Sequence, residues 1–206
     1  MRIDLVESHE ARPLRGDLAD IFLPAFRDDP LVRGLYPSDL DYVCHFPALV
    51  AAVASNAFSA GTVQFDASGH AAALWFPPGA RPDVSAIRER LRTSLPPRRF
   101  AIAADCLEIL GRLRPDKPHW YLPWLGVVPE AQGAGLGSSL LSAGLARADR
   151  AGVPVYAEAT SRRSIAFYAR RGFETWARMA LPGCPEVVAL WRPAAPCKAP
   201  RILYAV

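Results

Sequence analysis

One continuous stretch, residues 119–137, constrains the fold more than any other part of the sequence. Residues 120–128 are rich in aromatic and branched side chains, a composition that is typical of a β-strand. A short turn at residues 129–130 and a glycine-rich turn at residues 132–137 follow, and a helical pattern begins directly afterwards. This order of strand, glycine turn and helix predicts an α/β architecture in which the turn faces a ligand.

The backbone chemistry of this turn favours an anion. Glycine lets the chain bend, and lets it approach a ligand closely where a side chain would clash. A helix that begins there leaves several N–H groups without partners, and its dipole adds roughly half a positive charge at the same end. The simplest ligand for such a site is a phosphate.

Three phosphate-binding motifs have to be distinguished. A Walker loop ends in Gly-Lys-Ser/Thr, but no lysine lies near Gly137. A dinucleotide fingerprint has the spacing G-x-G-x-x-G, and the last two glycines here are one residue too close. The pattern Q-x-x-G-x-G, from Gln132 to Gly137, does fit. Taken alone, it is equally compatible with a glycine-rich turn in front of a core helix.

Composition narrows the class of protein. A chain of 206 residues, 51% of them hydrophobic, predicts one domain with a full core. No apolar run approaches the ~20 residues of a membrane span, and the charged beginning of the chain does not match a signal peptide. The net charge of +4 is modest, and acidic residues interleave with the basic ones. We therefore expect neither a membrane nor a nucleic acid as partner.

The four cysteines, Cys44, Cys106, Cys184 and Cys197, are scattered and show no C-x-x-C spacing. This pattern does not match the usual zinc motifs, so no metal site is predicted. We interpret the cysteines as free thiols in a reducing cytosol, which predicts a cytoplasmic protein.

Hydrophobic periodicity and turn residues predict the element order β-α-α-β-β-α-α-β-α-β-α-β-β. Such an order is typical of an α/β or α+β fold with a mixed sheet. Residues 3–6 are the predicted first strand, residues 28–30 are interpreted as the end of the first helix, and residues 28–37 as a loop. The Pro/Ala-rich residues 193–206 are interpreted as a tail that follows a single domain of residues 1–192.

Motif and element order together resemble the GCN5-related N-acetyltransferase (GNAT) superfamily. The Q-x-x-G-x-G turn is similar to motif A of that family, which cradles the pyrophosphate of acetyl-CoA. A second block, a strand ending in Glu158, a helix with Phe167-Tyr168 and the pair Gly172-Phe173, is similar to the family's second conserved block. The chain looks closest to the puromycin N-acetyltransferase-like branch. The cues for this branch are the segments at residues 73–75, 77–79, 120–122 and 191–192.

This resemblance implies a single GNAT-like domain. Its mixed, mostly antiparallel central sheet would have about seven strands, helices on both sides, and a splay between the fourth and fifth strands. Pro123 lies inside the fourth strand and cannot donate to a ladder, which favours a bulge or an edge at that point. In the family, the pantetheine arm inserts into the splay like an extra strand. The simpler alternative is that Pro123 only marks a sheet edge.

The resemblance also implies which residues bind acetyl-CoA. They are Leu125, Gly126, Val127, Gln132, Gly133, Ala134, Gly135, Leu136, Gly137, Ser138, Ser164 and Phe167. Ser164 stands where the family commonly has an asparagine that contacts the cofactor. A serine hydroxyl can still form a hydrogen bond there.

Two residues are expected to move protons. Tyr168 matches the family's general acid, because a thiol of pKa ~8.5 that leaves near neutral pH gains from a nearby phenol proton. Glu158 is the first candidate for the proton acceptor, since a glutamate beside an apolar cleft can act through water. A purely structural role for Glu158 is equally compatible with the sequence. His119 is the second candidate, and ordered water is an alternative to a dedicated base.

We therefore predict an N-acetyltransferase that transfers the acetyl group of acetyl-CoA directly to an amine of a small molecule, as a monomer or homodimer. A protein N-terminus or a lysine is the alternative acceptor. Two further alternatives are a non-catalytic acyl-CoA-binding module and a nucleotide-binding protein that prefers ATP or NAD. The loops at residues 28–37 and 182–186 are expected to shape the acceptor pocket.

Overall fold

The computed structural model of the protein describes residues 5–7 and 15–194. The strands in this part of the chain are β1 (Leu5–Glu7), β2 (Val63–Asp66), β3 (Ala71–Phe76), β4 (Trp120–Val127), β5 (Val155–Ala159), β6 (Glu174–Met179) and β7 (Val187–Arg192). The helices are α1 (Arg15–Ala25), α2 (Pro30–Leu35), α3 (Asp39–Ser59), α4 (Val84–Ser94), α5 (Pro97–Leu113), α6 (Leu136–Arg150) and α7 (Arg162–Ala169). A 3-10 turn, Pro129–Ala131, lies between β4 and α6.

The strands form one open sheet in the order β1-β2-β3-β4-β5-β7-β6. Neighbouring strands run antiparallel except β4 and β5, which run parallel. A mixed, mostly antiparallel sheet was the prediction, and it is confirmed. This pair lies at the centre of the sheet, and its strands can run parallel because α6 provides the crossover connection that parallel neighbours need.

Helices cover both faces of the sheet. Phe22 of α1 and Phe46 of α3 are fully buried in the cluster on one face, which α4 and α5 also join. Leu140 and Leu141 of α6 are fully buried on the other face, with Tyr168 of α7. Gly144 lets α6 approach this face closely, since a Cβ there would lie 2.0 Å from Cζ2 of the buried Trp75.

A β-bulge interrupts β4 near Pro123. Leu74 pairs with Trp124, but Phe76 pairs with Tyr121, so β4 has one more residue than β3 over this interval. The parallel pairing of β4 with β5 ends at Leu122, opposite Ala157. The two strands therefore part immediately before Pro123, which confirms the predicted splay.

The bulge also reverses the direction of the β4 side chains. Leu122 faces the α6 side of the sheet and Trp124 faces the α1 side. In a regular strand, residues at positions i and i+2 would face the same side. Proline stabilises this arrangement because it has no N–H to leave unpaired where the neighbouring strand departs.

The interpretation of residues 28–37 as a loop is wrong at its centre, where α2 forms. The Asp29 carboxylate accepts a hydrogen bond from the N–H of Val32 (3.0 Å) and caps the helix, while Pro30 occupies its first turn. Asp29 and Pro30 therefore follow α1 and also begin α2. Residues 195–206 of the predicted tail, with Cys197, and residues 3 and 4 of the predicted first strand lie outside the described residues.

By length and composition alone, α3 could cross a membrane. In this fold it packs on the sheet and buries eight residues, including Phe46 and Val50. The apolar character of α3 is therefore accounted for by its contribution to the core.

Candidate active site

The glycine turn takes the backbone conformation that its sequence requires. Gly133 and Gly135 have φ values of 85° and 87°, in the left-handed region that favours glycine. Gly135 is the N-cap of α6, and no side chain caps this helix end. The N–H of Ser139 bonds to the carbonyl of Gly135 (3.0 Å), so the amides before Ser139 precede the regular ladder and point outward.

Packing fixes this helix end against β4. A Cβ at Gly137 would lie 3.2 Å from Cγ2 of Val127 and 3.3 Å from Cδ2 of Leu125, so only a small residue allows this contact. The Gln132 amide donates to the carbonyl of Val127 (3.1 Å) and ties the turn to the strand end. Residues 132–135 are exposed.

These features fit the diphosphate of coenzyme A. The main-chain amides at 133–138 would hold it, because outward N–H groups and the helix dipole favour an anion at the same place. No side chain fills the turn, and a Cβ at Gly133 or Gly135 would meet nothing within 4 Å. The open turn therefore leaves room for phosphate oxygens.

Arg171 is a residue near the turn that the sequence analysis did not select. Its guanidinium donates to the Ser138 hydroxyl and to the carbonyl of Phe167 (3.1 Å), and it lies 4.4 Å from the Phe167 ring centre. A cation beside a helix N-terminus is unfavourable unless an anion is also present. Its position directly before Gly172, inside the second block, is the sequence signal that could have identified it.

Main-chain groups of β4 face the gap that opens beyond Pro123. The N–H of Val128 bonds to the carbonyl of His70 on the β3 side (2.9 Å). Because alternate residues of a strand point the same way, the N–H of Gly126 also faces β3, whereas Leu125 and Val127 point toward the gap. Of the three predicted residues in this segment, Leu125 and Val127 thus offer amides to a ligand in the gap, and Gly126 does not.

Tyr168 lies on the α6–α7 side of the sheet. It is 5% exposed and packs in the same apolar cluster as Leu122 and Ala157, the last paired residues before the gap. Burial alone raises the pKa of its hydroxyl, and no described residue accepts a hydrogen bond from it. The hydroxyl is therefore protonated at neutral pH and available to an external partner.

Glu158 lies on the opposite side of the sheet, directly after the last residue of β5 that pairs with β4. Its carboxylate accepts hydrogen bonds from the hydroxyls of Tyr121 (2.7 Å) and Tyr156 (3.1 Å). Arg114 places Nη2 3.8 Å from Oε1, and its guanidinium carbon lies 4.1 Å from the Tyr121 ring centre. Burial, and then the Glu158 charge, raises the pKa of Tyr121, which keeps this hydroxyl a donor.

The remaining candidates lie in three different settings. The Ser164 hydroxyl takes part in a capping box with Ser161 at the start of α7, so it already has partners. Phe167 packs at the edge of the apolar cluster that contains Tyr168. His119 precedes β4 at the end remote from the glycine turn, and its Nδ1 lies 2.7 Å from the carbonyl oxygen of Lys117. The structure thus separates His119 from the gap.

A cavity of about 80 Å³ lies on the Glu158 side of the sheet. Leu31 and Leu35 of α2 line it, as do Gly183 and Cys184 of the β6–β7 connection. Both segments that were expected to shape an acceptor pocket therefore reach one cavity. The sequence analysis missed α5, whose residues Ile102, Ala103, Cys106, Leu107 and Leu110 form a third wall.

No group of three or more His, Cys, Asp or Glu residues that could hold a metal ion occurs in residues 5–7 and 15–194. The groups described above are main-chain amides, two tyrosine-bonded carboxylate oxygens and one phenol. This set can bind an anion, orient a carbonyl and transfer protons.

Comparisons with known proteins agree with this geometry. The model of the Acetyltransferase (GNAT) family matches residues 74–173, which include the gap, the glycine turn and Tyr168. A crystal structure of histone acetyltransferase HPA2 and related acetyltransferase from Corynebacterium glutamicum is 27% identical to this chain. That alignment covers 97% of this chain and 100% of the other, with a TM-score of 0.71.

Two more distant structures share the fold. Arylalkylamine N-acetyltransferase 2 from Aedes aegypti is 14% identical, with coverage of 95% of this chain and 100% of that one and a TM-score of 0.64. PH1933 from Pyrococcus horikoshii is 10% identical, with coverage of 94% and 99% and a TM-score of 0.61. At 10–14% identity, these two structures show only that the fold is shared.

Proposed function

We propose that this chain, whose residues 74–173 match the Acetyltransferase (GNAT) family, is an acetyl-CoA-dependent acetyltransferase that transfers the acetyl group directly to the amine of a small molecule. The observation that carries this proposal is the arrangement around the gap beside Pro123. Tyr168 approaches from one face of the sheet, and Glu158 and the apolar cavity lie on the other. Such a site can protonate a leaving group on one side and receive an amine on the other.

Acetyl-CoA supplies the acetyl group as a thioester. The amides of the glycine turn would bind its diphosphate, and the N–H groups of Leu125 and Val127 would orient and polarise the acyl carbonyl. The Tyr168 hydroxyl would deliver a proton to the departing sulfur. This hydroxyl lies beside an apolar cluster and makes no hydrogen bond to a described residue, so it can donate to a bound substrate.

Glu158 would accept the proton of the attacking amine, directly or through one water molecule. Two tyrosine hydroxyls and Arg114 hold its carboxylate in one orientation, which is how a positioned base is supported. The side chain is 13% exposed, so a water molecule can reach the carboxylate without solvating it fully.

We expect Glu158→Gln to lower kcat about 100-fold, the lower range for loss of a general base. Glutamine keeps the shape: its carbonyl oxygen can accept from one tyrosine hydroxyl, and its NH2 group can donate to the other. Steady-state kinetics at several pH values would measure the effect. Glu174→Gln, on the exposed start of β6, is the matched control and should leave kcat unchanged. Equal turnover by both variants would remove Glu158 from the mechanism and leave the proton to solvent.

A small-molecule acceptor is favoured by the size and lining of the cavity. Its volume of about 80 Å³ and its mainly aliphatic walls suit a compact apolar group better than a lysine chain on a folded protein. The segments at residues 73–75 and 77–79 add support for the puromycin N-acetyltransferase-like branch. Trp75 is fully buried there, so this segment supports the fold and does not contact the acceptor directly.

The proposal is tested by thiol release from acetyl-CoA with purified protein and a panel of amines. The panel should contain aryl- and alkylamines, aminoglycosides, and peptides with free N-termini or lysines. Turnover with small amines and mass-confirmed N-acetylation would support the proposal. Turnover with peptides only would move the acceptor to proteins. Tight CoA binding without turnover on any amine would favour a binding module.

A further inference from the structure

Two cysteine thiols face one another on opposite walls of the cavity. The Sγ atoms of Cys106, on α5, and Cys184, in the β6–β7 connection, are 3.5 Å apart. Both residues line the cavity, and both are free thiols in this structure. They are 78 positions apart in sequence, so only the tertiary fold brings them together.

We propose that Cys106 and Cys184 form a reversible disulfide, made by exchange with a low-molecular-weight disulfide, that controls access to the cavity. A disulfide needs an S–S separation of about 2.05 Å, so the sulfurs have to approach by roughly 1.5 Å. Cys184 lies in the seven-residue β6–β7 connection, residues 180–186, where its N–H bonds back to the carbonyl of Leu181 (2.9 Å). Cys184 belongs to no strand, so the connection can adjust by this amount while the pairing of β6 with β7 is kept.

The chemical environments of the two thiols assign them different roles. The hydrogen bond with Cys106 lowers the pKa of the half-buried Cys184. The same hydrogen bond, and then burial, raises the pKa of Cys106, which is 5% exposed. Cys184 is therefore the thiol that ionises first and that a reagent can reach.

The exchange is balanced in two steps. The Cys184 thiolate attacks one sulfur of the reagent disulfide, which forms a mixed disulfide and releases one thiolate. That thiolate takes the Cys106 proton, and the Cys106 sulfur then attacks Sγ of Cys184 and releases the second thiolate. The two cysteines lose two electrons in total, and the reagent gains them as two thiols.

The cross-link would narrow the cavity. It draws the β6–β7 connection toward α5, and this connection also packs on α2, where Pro185 Cδ lies 3.2 Å from the Cβ position of Gly34. We expect KM for the acceptor to rise about tenfold, the lower range for a lost apolar contact in a pocket. KM for acetyl-CoA should be unaltered, because the glycine turn that would bind its diphosphate lies at the end of β4 and does not line the cavity. This consequence for the acceptor rests on the proposed function, whereas formation of the disulfide does not.

The test uses oxidised glutathione and a Cys44→Ser/Cys197→Ser variant that retains only the pair. Intact mass should show the loss of two hydrogen atoms, peptide mapping should link residues 106 and 184, and a reducing agent should reverse both. Adding Cys106→Ser should stop the reaction at the mixed disulfide on Cys184. A stable mixed disulfide with Cys106 present, or no reaction, would overturn the proposal.

The same oxidation is repeated on the wild-type protein, so that this result does not depend on whether a variant folds. Mapping should find the same 106–184 link, and kinetics should show the expected rise in acceptor KM. A link through Cys44 or Cys197 would overturn the assignment of the pair. A 106–184 link with unchanged acceptor KM would overturn its control of the cavity, while absence of any transferase activity would count against the proposed function alone.

Discussion

Replacing Gly135 with glutamate is expected to weaken acetyl-CoA binding at least about 100-fold, or about 2.7 kcal/mol. The carboxylate would occupy the open turn and repel a diphosphate at the end of α6 where an anion is otherwise favoured. Loss of the left-handed glycine conformation (φ 87°) adds backbone strain of roughly 1–2 kcal/mol. Isothermal titration with acetyl-CoA measures the affinity, and thermal unfolding without ligand measures the strain.

Gly152→Glu is the matched control for this experiment. Gly152 follows the other end of α6, has φ of 63°, and would place its Cβ in open space. The 15-residue helix separates it from Gly135 by ~22 Å at the usual rise per residue. It should therefore carry a similar strain and the same added charge, yet bind acetyl-CoA normally. If Gly135→Glu also bound normally, the diphosphate would have to lie elsewhere.

Replacing Tyr168 with phenylalanine is expected to lower kcat about 100-fold, with KM for acetyl-CoA changed by less than about twofold. Only the hydroxyl is removed, and it makes no hydrogen bond to a described residue. The free energy of unfolding should therefore stay nearly unchanged, because the substitution removes no hydrogen bond between described residues. Lost turnover without lost stability would identify a residue that acts on the substrate.

Tyr42→Phe provides the opposite pattern as a control. The Tyr42 hydroxyl donates to the carbonyl of Leu23 (2.6 Å), so its removal should cost about 1 kcal/mol of stability. Turnover should be retained, since Tyr42 neither lines the cavity nor bonds to Glu158. Should Tyr168→Phe turn over substrate at the normal rate, the proton for the leaving thiol must come from solvent.

Local features could be read from the sequence because their causes are local. Gly135 adopts the left-handed conformation that its missing side chain permits, and α6 begins directly after it. Pro123 breaks the strand pairing where its missing N–H predicted a break. The helix at Asp29-Pro30 was missed because the same two residues follow α1 and cap α2, and short-range pattern alone does not separate these roles.

The neighbours of the candidate base could not be read in this way. Glu158 was selected from its place after a strand, but Arg114 and Tyr121 reach it across 44 and 37 positions. Periodicity places Tyr121 on a strand without stating which face it occupies, and the bulge at Pro123 then reverses the faces. The same limit applies to Arg171, whose contact with Ser138 spans 33 positions.

The sequence by itself determined the strand, glycine turn and helix, the break at Pro123, and the block that contains Tyr168. These depend on the conformational limits of single residues and on their immediate neighbours. Only the tertiary structure decided that Tyr168 and Glu158 lie on opposite sides of the gap, and that α2, α5 and the β6–β7 connection enclose one cavity. Such contacts arise when distant segments bury apolar surface together, and no local pattern specifies which segments meet.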